Sequence, residues 1–465
     1  MKRRVAVLLF LLGLNLHAQL RPGQRVDILR SGSITVKRTE SGPVTILRGD
    51  VALKNKDGVF YCDSARWWRK DDRFVAFGAV RYQGNDGVKL RSQHLDYSKG
   101  VAFLRGNVVL VHKGQTLKTP TLRYDTEAET GQFLQGAEIV TEDGTLTCQS
   151  GRYSASDEHF VFEGKVHAMT DDYILDCPKM EQWPSQHRYY VPKPGIAQSK
   201  VASGDTYRLR GFMRFGRAWM WSTSDGNASA FAQHVEGIDS TVQFSADSLY
   251  RRGESTSLFA QDGQAFWSDW SGDSLEIHAA AIYRSPSMAS ASGQVATFAR
   301  GLVCASDAMA WNSTDSILNF SGKPLVWTSE YVLRSDSLRW FQHHPSGLDS
   351  LYGSGLVHIS KPIDSLRFDE MAGNFLYGFL EESGMKHLKI KGNAQAIFQP
   401  DSERSSQIQC ADIALEFENG ELKYVRFNKG PQGQVADPVL SLHLPGFDGE
   451  SAQRPARMEA ISGLK

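Results

Sequence analysis

The sequence predicts an all-β fold assembled from strand-turn-strand units that repeat every ~28–33 residues. Three observations carry this. Glycines followed two positions later by an apolar residue recur at Gly49, Gly78, Gly106, Gly136 and Gly164, in steps of 29, 28, 30 and 28. Each opens a period-2 segment, as in "GDVAL", "GAVRY", "GNVVL" and "GKVHA", the alternation of a strand with one face inward; "GAEIV" at Gly136 is out of phase by one. A turn residue follows at Gly58, Gly87, Gly114, Gly144 and Asp172, and then a second strand ending on an aromatic, as in "CDSARWW", "SQHLDY", "PTLRY" and "SGRY". Self-similarity of this length marks stacked units, each too small to bury its own apolar face. Helical repeats of similar period need a 3.6-residue periodicity that the units lack.

Residues 1–18 differ from the rest. Lys2, Arg3 and Arg4 precede the apolar run Val5–Leu14, and "LNLHAQ" offers a cleavage point after Ala18, which together read as a secretory signal peptide. The run is shorter than the roughly 20 residues that span a bilayer. Residues 19–180 hold the first repeat array. From 181 to 240 the pattern breaks into clustered aromatics and arginines, read as an irregular connecting segment. The grammar resumes over 241–430 with anchors Gly263, Gly293, Gly322, Gly355 and Gly392, whose second strands place an Asp shortly before an aromatic ("SADSLY", "SDAMAW", "SDSLRW", "ADIALEF"). Residues 431–465 read as a C-terminal tail.

The chain of 465 residues carries 52 basic and 52 acidic side chains, which gives no electrostatic footprint for nucleic acid. Its five cysteines fit neither a zinc motif nor a dense disulfide scaffold. Cys148 and Cys177 occupy equivalent places in adjacent repeats, so a disulfide and two buried thiols both remain open. No nucleophile elbow, phosphate loop or His-Glu-x-x-His occurs, and the pair His343-His344 lies in a surface turn, so no catalytic residue, metal or cofactor is expected. The Asp of the aromatic-ended strands (Asp63, Asp247, Asp307, Asp336, Asp412) reads as a residue that bends its strand by bonding local backbone. Trp67, Trp68, Trp311 and Trp340 read as packing. Arg48-Gly49-Asp50 has the letters of an adhesion signal, yet it sits at a repeat anchor whose third position is Ala79, Asn107, Ala137 and Lys165 in the copies that follow.

The Gly-x-Val-x-Leu strands, the Asp-Ser-Leu-x-aromatic strands, and "KHLKIKGNAQAIFQ" followed by "ADIALEFENGELKYVRF" resemble the OstA-like proteins of Bacteroidetes-type bacteria. These are relatives of the periplasmic lipopolysaccharide-transport protein LptA and of the N-terminal domain of its outer-membrane partner. The final "LPGF" and "RP" are similar to that group's C-terminal tail. The resemblance implies a repeat-built open β-jellyroll that carries lipid A acyl chains in an apolar groove. It also implies edge-to-edge docking with other jellyrolls of a transport bridge, from an inner-membrane anchored component to an outer-membrane translocon. Such a protein would work in the periplasm, with association to the outer membrane left open.

The inward residues of the anchor strands are the expected lipid groove: Val51, Leu53, Val80, Tyr82, Val108, Leu110, Val166, Val295, Ala394 and Ile397. Each is equally an ordinary core residue by sequence. Two other readings stand beside lipid transport: an exported structural or adhesin repeat protein with a filled core, and a polysaccharide-active β-helix enzyme with carboxylates converging in a cleft.

Overall fold

The computed structural model describes residues 26–436 and 443–447 apart from short breaks, the longest being 223–227, 270–274 and 342–348. The expected signal peptide 1–18, Gly263 and the His343-His344 pair lie outside the described residues. The pairings within each unit are antiparallel, and the one helical turn among the described residues is Pro184–Gln186. The chain forms two compact units, residues 1–240 and 241–465.

Unit 1 is a meander. Gly42–Lys54, Gly58–Trp68, Arg73–Gly84, Lys89–Ser98, Val101–His112 and Gln115–Asp125 each pair with the next. Short polar side chains close the turns. Asn55 Oδ1 accepts the N–H groups of Asp57 and Gly58, and Asp125 Oδ1 those of Glu127 and Ala128. Beyond Asp125 the strands split. Thr130–Phe133 and Ser150–Ser154 pair with each other, as do Ala137–Val140 and Gly144–Cys148, and both pieces rejoin along the continuous strand His159–Thr170. This accounts for the out-of-phase copy at Gly136, which lies where a strand is interrupted rather than bent.

The same splitting recurs over 181–240. Arg188–Val191 and Gly195–Ser203 both pair with Tyr173–Trp183, and Thr206–Phe215 and Arg217–Ser222 both pair with Ala228–Asp239. The sequence expected an irregular connector here. The structure instead has further strand pairs inside unit 1, split into short pieces that break the spacing of the anchor glycines.

The unsplit strands are bent at their middles. Arg48 stands opposite Ser64 and Val51 opposite Cys62, so Gly49-Asp50 face the single residue Asp63, a β-bulge. Gly49 (φ +78°) and Asp50 (φ +44°) are both left-handed. The two-against-one count recurs at Gly78-Ala79, Gly106-Asn107, Gly164-Lys165, Gly293-Gln294 and Gly392-Asn393, each pair again with positive φ. Inward residues are therefore four apart across the bulge on one strand (Leu47 to Val51, Leu104 to Val108) and three apart on its partner (Cys62 to Ala65, Thr119 to Leu122). The two halves of each strand turn their apolar faces into one core, in which Leu47, Val51, Leu53, Cys62, Ala65, Phe74, Ala76, Val80 and Tyr97 pack together. The architecture is all-β, repeat-built and jellyroll-like.

Unit 2 repeats the plan, with long strands Met288–Ala299, Leu302–Asn312, Asp349–Pro362, Phe368–Glu381, Gly384–Phe398 and Ser405–Glu418. Two findings depart from the tail expected over 431–465. Gln432–Ala436 is a strand paired with Ser405–Glu418, and residues 443–447 pack on the sheet.

A disulfide between Cys148 and Cys177 is not formed: all five cysteines are free. The reason is topological. A repeat is a hairpin, so equivalent residues of adjacent repeats are two strands apart. His159–Thr170 lies between the strands of Cys148 and Cys177, and two strand spacings are about 9–10 Å, beyond the ~7 Å Cα limit of a disulfide.

Candidate functional site

All ten residues expected to line a groove are buried, and nine of them point into the interior; Ile397, against expectation, stands opposite Glu370 on the outward face of its strand, three positions past the inward Ala394. Seven lie in unit 1 (Val51, Leu53, Val80, Tyr82, Val108, Leu110, Val166) and three in unit 2 (Val295, Ala394, Ile397). Five of them, Val51, Val80, Val108, Val166 and Val295, are the first inward residue after a bulge, as is Ala394. These six sit in the tightly packed bend. Leu53 and Tyr82, one step further along their strands, instead line a cavity of about 110 Å³.

That cavity is the candidate site. Leu53, Phe60, Tyr82 and Leu90 form one wall from the strand halves on one side of the bulges. Phe74, Leu95, Tyr97, Ala102, Leu104 and Tyr124 come from the halves on the other side. The polar groups at its edge are engaged by the protein. Asn55 caps its turn, Thr126 Oγ1 donates to Gly100 O at 2.7 Å, and Tyr97 Oη donates to Asp72 Oδ2 at 3.3 Å. Burial pushes the Tyr82, Tyr97 and Tyr124 phenols up, so all three stay neutral. What remains exposed to the cavity is mostly hydrocarbon and aromatic surface. A dry apolar cavity of roughly 150 Å³ accommodates benzene, so this space holds a short stretch of chain, and a longer apolar guest requires the two walls to part.

Sequence reasoning missed what faces each bend. The residue opposite the first post-bulge position is a small hydroxyl or thiol side chain at these six bulges, Cys62, Ser92, Thr119, Cys177, Ser306 and Cys410, whereas at Gly355-Leu356 it is Gly373. Ser92, Thr119, Ser306 and Cys410 donate to the carbonyl two residues on, at 3.3, 3.1, 3.1 and 3.2 Å, beside the interrupted ladder where backbone groups need other partners. Three of the five cysteines thus stand where Ser or Thr stands in other repeats. Burial pushes the Cys62 and Cys177 thiols up to about 12. The signal was present as "CDSA", "SQHL", "TPTL", "CPKM" and "SDAM".

The Asp residues read as local strand-benders act across strands instead. Asp247 Oδ2 accepts the Gln261 N–H at 2.7 Å, and Asp336 Oδ2 the Leu356 N–H at 3.1 Å. Asp412 is buried and pairs with Lys429 at 3.1 Å. Trp340 is a core residue whose Nε1–H donates to Asp349 Oδ2 at 2.9 Å, while Arg69, Arg73 and Arg284 lie over Trp67, Trp68 and Trp311. Arg48-Gly49-Asp50 occupies a mid-strand bulge, and Asp50 is paired with Arg30 at 2.7 Å. Among the described residues no three His, Cys, Asp or Glu side chains form a metal-ligand group, and no helix is long and apolar enough to cross a membrane.

Residues 23–178 match the family described as OstA-like protein, a segment that contains the bulged meander and the whole cavity. No curated protein matches the chain. Residues 23–178 are thus similar to the OstA-like proteins.

Proposed function

We propose that the chain is a lipid carrier of the lipopolysaccharide-transport type, akin to LptA, working in the periplasm without catalysis. The observation that carries the reading is the apolar cavity between the two strand halves of unit 1, inside the OstA-like segment. Each acyl CH₂ brought into water costs about 0.8 kcal/mol, so moving a multi-chain amphiphile through an aqueous space requires a surface of this kind. Lipid A acyl chains enter by parting the walls at Leu53, Tyr82, Leu104 and Tyr124, and the phosphorylated head group stays outside.

The strand edges suit the partners this role needs. Ser33–Thr39 pairs, among the described residues, along one side only, with Gly42–Lys54, and Ile34 and Val36 on it are exposed. An unpaired edge of this kind accepts a strand from another sheet, here a neighbouring jellyroll of the bridge. Photo-crosslinking from Tyr82 to labelled lipopolysaccharide, with outward-facing Arg81 as the control position, tests the proposal. A filled-core structural protein gives no Tyr82-specific adduct.

A further inference from the structure

Glu370 is 1% exposed although it lies on the outward face of its strand. Its register partners define that face: His358 opposite Ala372, Ser360 opposite Glu370 and Pro362 opposite Phe368, whereas Ile359 and Met371 point into the core. Beyond the bulge the same outward face carries Phe375, Tyr377 and Phe379 at 40, 36 and 44% exposure. One half of the face is therefore covered and the other half is bare.

The cover is His443–Phe447. Leu444-Pro445-Gly446-Phe447 is a tight turn: the Phe447 N–H donates to Leu444 O at 3.1 Å, with Pro at the second position and Gly446 at φ +95°, the arrangement of a type II turn. The turn stacks the His443 and Phe447 rings at 3.7 Å and 5°. Phe447 then meets Phe368 edge-on at 5.0 Å and His358 at 5.9 Å. The Leu444 N–H donates to Glu370 Oε2 at 2.8 Å, His358 Nε2 lies 3.1 Å from the same oxygen, and His443 Nδ1 bonds Oε1. Arg334 Nη1 donates to Gly446 O at 3.4 Å. A carboxylate buried this deeply is costly unless its lone pairs are satisfied, and two of its three partners come from the turn.

We infer that the outer face formed by His358, Phe368, Glu370 and Arg334 is a docking site for the chain's own His443–Phe447 turn, which straps the last strands of unit 2 to it. The reach is adequate. Ala436 is separated from Glu370 by three strand spacings, through Ser405–Glu418 and Gly384–Phe398, about 14 Å, and six intervening residues span up to ~20 Å. The ligand chemistry is a His-x-Pro-Gly-aromatic turn: the imidazole and the Leu444 amide read the carboxylate, and the aromatic ring fills the space against Phe368.

Hydrogen exchange on the full chain tests this, using Phe447→Ala and, independently, His443→Ala, with a synthetic peptide of residues 440–450 as probe. The unaltered chain protects the Leu444 and Phe447 amides and ignores added peptide, because the tethered turn wins by effective concentration. In each variant these amides exchange at least tenfold faster, residues 368–372 lose protection, and added peptide restores protection to 368–372. Unchanged exchange in both variants overturns the inference, and so does a variant that loses protection which the peptide does not restore. A failure of lipid crosslinking in unit 1 bears on neither outcome.

Discussion

The Asp63 side chain occupies the space in which a Cβ on Gly78 would stand: that atom would lie 2.1 Å from Asp63 Oδ2. The same relation holds between Gln93 and Gly106, Gln149 and Gly164, Asp307 and Gly322, and Asp336 and Gly355. In these five pairs the anchor glycine and the residue after a Ser or Cys of the preceding strand are two halves of one device. The bulge needs a left-handed residue, and the neighbouring strand lays a polar side chain over it.

This relation separates two costs of losing a glycine. Gly87 has a similar φ of +88° but nothing within 4 Å of an added Cβ, so Gly87→Ala should cost only the left-handed strain, about 1–2 kcal/mol. Gly78→Ala should cost that and a further ~1–3 kcal/mol for displacing Asp63. Denaturant midpoints measure both, and Asp63→Ala in the Gly78→Ala background should recover the part owed to the carboxyl group, the residue-63 Cβ alone remaining 2.9 Å away. Equal costs at the two glycines would show that Asp63 moves aside freely.

Ala102 lines the cavity. Ala102→Leu should fill it, holding or raising stability by up to ~1 kcal/mol, while reducing acyl-chain uptake by at least tenfold. Thermal denaturation and lipid titration on one preparation read the two effects. Normal lipid uptake with a filled cavity would separate transport from this site.

The cysteines should remain thiols. Peptide mapping without reduction should yield no Cys148–Cys177 link, and Cys62, Cys148 and Cys177, pushed by burial up to about 12, should react with a thiol reagent at pH 8 only on unfolding. A linked peptide would contradict the strand order.

Docking of the C-terminal turn should be acid-sensitive. Burial raises the Glu370 pKa, but hydrogen bonds from His358, His443 and the Leu444 N–H outweigh it and hold the carboxyl below its ordinary value. A carboxyl depressed in the docked state binds its proton more readily once released, so its contribution is complete above the ordinary carboxylate range and is lost as pH falls through the depressed value. The groups facing it are those three and, through Gly446, Arg334. The protection factor of the Leu444 amide, its exchange rate relative to an unstructured amide at the same pH, should fall as pH drops through that acidic window; a protection factor that rises there instead would reverse the sign.

The period, the two-strand unit and all the expected inward residues but Ile397 were legible because alternation and glycine spacing are local properties of the chain. Val51, Val80 and Val108 read correctly as inward for that reason. Pairing across strands was not legible. Asp63 and Gly78 are 15 positions apart and each has a plausible local role, so their contact shows only once the register is known. The strands of 181–240 were missed because their splitting into short pieces breaks the regular spacing of Gly-x-apolar anchors. "LPGF" read only as part of a tail, because the buried carboxylate that receives it lies more than 70 residues upstream.

The most direct test of the lipid-carrier account is photo-crosslinking from a benzophenone amino acid at Tyr82, in the cavity wall, and at Arg81, its outward neighbour, in cells making labelled lipopolysaccharide. The account predicts a lipid adduct at Tyr82 and none at Arg81. No adduct at Tyr82 in a folded protein, or equal adducts at both, would contradict it.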